Sequence, residues 1–343
     1  MENILLTARS SPHIRTKNST QGIMRDVIIA LLPVTAMGVY HFGWYVLAII
    51  ATSVITAVLT EFLYAKLSKR PQTVTDGSAV ITGLLLALSL TPTIPLWIPA
   101  IGAFFGILIV KCIFGGIGQN FVNPALAARA FLMASWPAQM TIFVNSNHMT
   151  DAVSTATDAA TSATGAVVDG SSVATMLSGL QNNLIGWPEN ASVVVDKLIG
   201  HSSGTIGEVS IFAILLGAAY LLVRRVIRLE APLAYLGSFA FFAWMWIGQS
   251  DQLFSGNILG ELLFGGVIFA AVFMVTDYTT TPMTTKGQLI FGLGAGFITA
   301  VIRAFGAYPE GVTYAILLMN LAVPLIDRVL VPRAFGRKKV KDG

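Results

Sequence analysis

Long apolar runs separated by short polar breaks recur from residue 27 to residue 328. A helix that crosses a bilayer needs about 20 apolar residues at about 1.5 Å rise each. That template picks out ten spans, at 27–42, 44–64, 77–91, 96–114, 123–136, 206–223, 231–248, 258–276, 288–306 and 311–328. The third and fifth are short and bounded by Thr91-Pro92-Thr93-Ile94-Pro95 and Asn120-Phe121-Val122-Asn123-Pro124, so they read as half-helices. Backbone that leaves the helix at membrane depth has to be buried in protein or line a polar cavity.

Two stretches echo each other. Residues 76–93, an apolar span and 114–120 can be laid on 263–284, an apolar span and 305–311. Each half then holds five spans, and an odd number gives the halves opposite topology, as in inverted-repeat transport folds. The expected fold is therefore an all-α integral membrane protein of about ten transmembrane helices in two inverted five-helix repeats. It is divided into a cytoplasmic segment (1–26), a first repeat (27–136), a long loop (137–205), a second repeat (206–328) and a basic tail (329–343).

Composition agrees with that class: 55% of the 343 residues are hydrophobic and only 11% are charged, against about 25% charged in soluble domains. The formal charge of +4 does not indicate a nucleic-acid partner, because the basic residues lie between spans and at the ends. Arg9, Arg15, Lys17 and Arg25 precede the first span, Lys66, Lys69 and Arg70 follow the second, and Arg224, Arg225 and Arg228 follow the sixth. Arg333, Arg337, Lys338, Lys339 and Lys341 end the chain. With ten spans all of these fall on one side, which puts both termini in the cytoplasm of a cell membrane and loop 137–205 outside.

Candidate chemistry is sparse. The one cysteine, Cys112, excludes an internal disulfide and an iron–sulfur cluster held by this chain alone. His13, His41, His148 and His201 are too scattered to form a metal site. Lys111 and Arg129 flank the break at Asn120 and Asn123, and Arg303 closes the ninth span. Asp76 and Asp277 stand in two repeat-related Thr-Asp pairs, and Glu208 opens the sixth span. Each carboxylate has two readings, a helix cap or dipole partner and a contact on an ion path. Within loop 137–205 the pattern Asp-x-x-Ser/Thr-x-Ala-Thr occurs three times, ending at Thr157, Thr164 and Thr175.

Several segments together resemble a known family. They are Ser-Ser-Pro-His-Ile-Arg (10–15), Thr-Asp-Gly-Ser-Ala (75–79), Phe-Gly-Gly-Ile-Gly-Gln-Asn-Phe-Val-Asn-Pro-Ala (114–125), Ala-Arg-Ala-Phe-Leu-Met-Ala-Ser-Trp-Pro (128–137), Gly-Thr-Ile-Gly-Glu-Val-Ser (204–210) and Thr-Asp-Tyr-Thr-Thr-Thr-Pro-Met-Thr (276–284). The family comprises RnfD, a membrane component of the Rnf ion-translocating ferredoxin:NAD oxidoreductase complex, and NqrB, its counterpart in the sodium-pumping NADH:quinone oxidoreductase.

The resemblance implies a membrane flavoprotein with FMN bound covalently through its phosphate to a threonine, attached outside the cytoplasm by a flavin transferase. A second flavin, riboflavin, is implied as well. The implied partners are the other Rnf subunits, including those bearing iron–sulfur clusters and FMN. The implied role is an electron relay coupled to Na⁺ or H⁺ movement, with no catalytic residue of its own. In the family the acceptor threonine is followed by Pro-Leu, and no copy here has that proline. Thr157 is the first choice by its distance from Ser135-Trp136-Pro137; Thr175, followed by Met176-Leu177, and Thr164 are the alternatives. Asn120 and Asn123 are further candidates for cofactor contact. A flavin-free transporter or channel is the rival from another class.

Overall fold

The computed structural model describes residues 19–141, 204–247, 258–306 and 311–331, with residues 198, 200 and 254. Thr157, Thr164 and Thr175 lie outside the described residues, as do most of loop 137–205 and almost all of the basic tail. Among the described residues the chain is helical and has no strand. The first group of helices is α1 (Thr20–Phe42), α2 (Tyr45–Leu67), α3 (Ser78–Leu88), α4 (Trp97–Phe105), α5 (Pro124–Ser135) and the single turn α6 (Pro137–Met140). The second group is α7 (Ile211–Val223), α8 (Glu230–Trp246), α9 (Ile258–Leu263), α10 (Val267–Phe273), α11 (Thr285–Phe305) and α12 (Val312–Val329). Of these, α1, α2, α11 and α12 are long and apolar enough to cross a membrane.

Three of the departures from the hydropathy pattern have a clear local reason. The first helix starts at Thr20 rather than 27 because Ser19 caps it, accepting from the Gly22 amide, and because Asp26 finds partners on α7. The 96–114 span passes from α4 into a π-helical stretch, Gly106–Cys112, of the kind found mainly at functional sites. The 258–276 span divides into α9 and α10 at Gly265 and Gly266, whose φ values of 72° and 71° lie in the left-handed region that a helix cannot use.

Packing uses small residues. In α11, Gly292 and Gly296 face α8 so closely that a Cβ on either would stand 2.4 Å from a backbone oxygen, that of Ala231 or Tyr235. This four-residue spacing of glycines lets two membrane helices approach along their backbones. Tyr235 and Phe239 of α8 and Phe291 of α11 are fully buried in the same region. In the first group α2 packs on α3 and α4; between groups, α1 packs on α7 and α5 on α12. Leu32, Ile55, Leu59, Phe212, Leu216, Leu233, Leu293, Leu321 and Leu325 project outward and exposed, an apolar exterior that fits lipid better than water.

Candidate functional site

Where α5 meets α12, polar groups from both helix groups converge. Asn123 is the N-cap of α5, its Oδ1 accepting from the amides of Ala125 (2.9 Å) and Leu126 (3.2 Å). Its Nδ2 donates to Asp277 Oδ2 at 3.0 Å, joining residues 154 apart in sequence. Asp277 also accepts from the hydroxyls of Thr279 (3.1 Å) and Thr280 (3.0 Å). Asn320 of α12, with its amide turned to suit both neighbours, donates to the Thr280 carbonyl (3.3 Å) and accepts from the Asn123 amide (3.1 Å). Both oxygens of the half-buried Asp277 carboxylate are thus engaged by donors, which offsets its partial loss of water. Asn120 shapes the preceding turn, accepting from the Gly118 amide and donating to the Val122 carbonyl.

Beside this junction lies a buried charge chain. Lys111, in the π-helical stretch, donates to Glu61 Oε1 (2.8 Å) and Oε2 (2.9 Å) and to Ser78 Oγ (2.6 Å). Ser78 Oγ in turn donates to Asp76 Oδ1, which also accepts the Ser78 amide at 2.8 Å. Thr73 Oγ1 donates to Glu61 Oε1 at 2.7 Å. Asp76 therefore satisfies the start of α3, after Gly77 at φ 81° has turned the chain into the helix. Lys111 and Glu61 are 3% and 2% exposed.

The two clusters share a cavity lined by Ser78, Thr82, Lys111, Asn120, Asn123, Asp277 and Thr279 on its polar side, with Met24, Ile81, Leu85 and Ile117 on its apolar side. The space it encloses is ≈ 50 Å³, below the range of about 300–1,000 Å³ typical of small-molecule sites.

A second buried pair holds the α9–α10 link. Arg303, in the last turn of α11, donates from Nη1 to Glu261 Oε2 and the Glu261 carbonyl (both 2.9 Å) and from Nη2 to the Phe264 and Gly265 carbonyls (both 3.0 Å). Its guanidinium also lies 4.9 Å from the Phe239 ring centroid. On α1, Asp26 accepts from Tyr220 (3.1 Å) and is paired with Arg224 (3.1 Å). That hydrogen bond raises the already high pKa of Arg224 further.

The chain is matched over residues 7–336 by the model of the NQR2, RnfD, RnfE family. It belongs to that family. It is 45% identical over 341 residues to the D subunit of the Na⁺-translocating ferredoxin:NAD⁺ oxidoreductase complex of Acetobacterium woodii, covering 99% of this chain and 98% of the relative. It is 40% identical to the D subunit of the proton-translocating ferredoxin:NAD⁺ oxidoreductase complex of Clostridium ljungdahlii, with 98% and 97% covered. Another relative, the D subunit of the ion-translocating oxidoreductase complex of Stutzerimonas stutzeri, is 40% identical with 94% and 93% covered. Taken with the four long apolar helices, membership of the NQR2, RnfD, RnfE family makes the chain a multi-pass membrane protein.

Of the residues flagged in sequence, Asn120, Asn123 and Asp277 stand together at the cavity, and Asp76 lies one hydrogen bond behind Ser78 in its wall. Glu208 does not join them. It ends a 3-10 turn, Ile206–Glu208, three residues before α7, and is 4% exposed. Glu61, Glu261 and Asn320 escaped the sequence reading. A lone carboxylate inside an apolar run was the available signal for the first two.

Proposed function

We propose that this chain is the membrane flavoprotein subunit of an Rnf-type complex, relaying electrons between ferredoxin and NAD while Na⁺ or H⁺ crosses the membrane. The observation that carries this reading is the near-full-length similarity to relatives named as D subunits of such complexes, one Na⁺- and one proton-translocating. The repeated Asp-x-x-Ser/Thr-x-Ala-Thr pattern supports covalent FMN on Thr157, with Thr175 and Thr164 as alternatives. Small residues beside the threonine let a nucleotide approach the backbone, and its hydroxyl supplies the oxygen of a phosphoester. Lysine and arginine placement favours cytoplasmic termini and an external loop, where a flavin transferase would act. The pairings α1 with α7 and α5 with α12, the first and last helices of each group with the single turn α6 set aside, favour the inverted repeat.

A second, noncovalent flavin such as riboflavin would meet the residues that line this cavity only if it widens, since the enclosed ≈ 50 Å³ does not hold one. Met24, Ile81, Leu85 and Ile117 offer an apolar face to a planar ring, and Lys111, Thr82 and Thr279 offer polar contacts at its edge. Bound there, a flavin would supply the electron transfer. The chain's residues hold and orient it, exclude water and fix the nearby charge: Lys111 stays committed to Glu61, and Asp277 to Asn123, Thr279 and Thr280.

Co-expression of the whole complex with a flavin transferase, denaturing electrophoresis and in-gel fluorescence test the relay. A fluorescent band at this chain's mass is expected. Its absence rejects the relay in favour of a flavin-free transporter. Peptide mass mapping of residues 137–205 then identifies the acceptor.

A further inference from the structure

Among the described buried carboxylates, Glu208 stands apart. Glu61 is matched by Lys111, Glu261 by Arg303 and Asp26 by Arg224 and Tyr220, and the half-buried Asp277 is likewise held by Asn123 and two threonines. Glu208 is 4% exposed, and its Oε2 has no hydrogen-bond partner among the described residues. In the same turn Thr205, 1% exposed, also carries a side-chain oxygen without a partner. A buried polar group left this way costs free energy, and a buried charge costs more, unless something binds it.

The surroundings hold the carboxylate where two helices have ended. The Ile206 amide donates to the Leu90 carbonyl (3.0 Å), just past the end of α3, and a Cβ on Gly207 would stand 2.9 Å from the Leu88 carbonyl oxygen. Across the turn, Gly266 opens α10 at φ 71°, and a Cβ there would stand 2.4 Å from Glu208 Oε1. The neighbouring Gly265 faces Arg303 instead, but that guanidinium is neutralised by Glu261 and bound to three carbonyls. The third element on the turn, α1, carries His41 in its last turn, while α3 and α10 carry no titratable side chain. No ion pair joins Glu208 to any of these groups among the described residues, and its Oε2 accepts from none of them.

We infer that Glu208 is a cation-binding carboxylate, taking up one monovalent cation, Na⁺ or H⁺, at the junction of α3, α10 and the turn before α7. This rests on the proposed ion-translocating role and deepens it by naming a residue for it. Broken helices with free oxygens at membrane depth are where transport folds place such ions.

The test is labelling of the intact wild-type complex with dicyclohexylcarbodiimide, which attacks protonated carboxyl groups in apolar surroundings, followed by peptide mass spectrometry. Glu208 is expected to be labelled, with the paired Glu61 and Glu261 spared. Protection by NaCl but not KCl at constant pH identifies Na⁺; label that falls with rising pH and ignores NaCl identifies H⁺. Failure of Glu208 to label, or label indifferent to both, overturns the inference. As a second measurement, Glu208→Gln in membrane vesicles should retain the flavin band and move fewer cations per electron. An unchanged ratio overturns the inference too, and if the variant does not fold the wild-type labelling still decides. Labelling needs no electron donor, so a negative result leaves the relay standing. A missing flavin band removes the relay and leaves the labelling result intact.

Discussion

Removing one partner of the Lys111–Glu61 pair should destabilise the protein far more than removing both. The charges are 2.8 Å apart with 3% and 2% exposure, so at an effective dielectric near 20 they attract by about 6 kcal/mol. Desolvating the two ions costs several kcal/mol each, which offsets most of that gain. Among the described residues, Lys111→Met leaves Glu61 with only the Thr73 hydroxyl, and Glu61→Leu leaves Lys111 with only Ser78. Each single change should then cost about 3–5 kcal/mol, a loss of about a hundredfold or more in the folded ratio at about 1.4 kcal/mol per tenfold. The double variant Glu61→Leu/Lys111→Met removes the stranded charge and should lie within about 1–2 kcal/mol of the parent. Equilibrium unfolding in mixed micelles across a series of sodium dodecyl sulfate fractions measures all four corners of the cycle. Single costs that simply add in the double variant would refute the reasoning, because additivity means the two groups do not interact.

The second pair is a test of geometry rather than charge. Arg303→Lys keeps the cation but cannot reproduce four directed bonds to Glu261, Phe264 and Gly265; a loss of about 2–4 kcal/mol is expected in the same unfolding assay. At the α8–α11 contact, Gly296→Val drives a side chain into the Tyr235 carbonyl and should lower stability by about 1–3 kcal/mol, read as reduced monodisperse yield on size exclusion. Asn123→Ala removes the α5 cap and one donor to Asp277; about 1–3 kcal/mol of stability should go, and flavin extracted from the complex by acid should fall while the covalent band persists. Thr157→Val should abolish the fluorescent band and Thr175→Val should leave it; a band surviving in Thr157→Val moves the acceptor to another copy of the pattern.

What could be read from sequence divides along the range of the interactions involved. Apolar runs gave α1, α2, α11 and α12 within a few residues at most ends, because lipid exposure demands hydrophobicity along a whole helix and the pattern records it. The α9–α10 break was invisible to the same reasoning. Gly265 and Gly266 count as neutral in a hydropathy window, and what makes glycine necessary there, left-handed φ and no room for a Cβ beside Arg303 and Glu208, involves residues 38 and 58 positions away. The same limit hid the pairing of Glu61 with Lys111 and of Glu261 with Arg303, which are 50 and 42 residues apart. Sequence displays a charge in an apolar run but not the counter-charge that decides whether it is structural. That distinction separates the carboxylates. Asp76 and Asp277 carry donors on their oxygens and hold a helix start and an interhelical junction, whereas the structural reading of Glu208 in sequence is a first-turn position favoured by the helix dipole. Yet it falls three residues ahead of α7, outside the first turn, and Ser210 is the N-cap that accepts from the Ala213 amide. With the dipole account removed, Glu208 Oε2 stands as the one buried carboxylate oxygen among the described residues without a hydrogen-bond partner, which is why the cation is assigned to it and not to the paired Glu61 or Glu261.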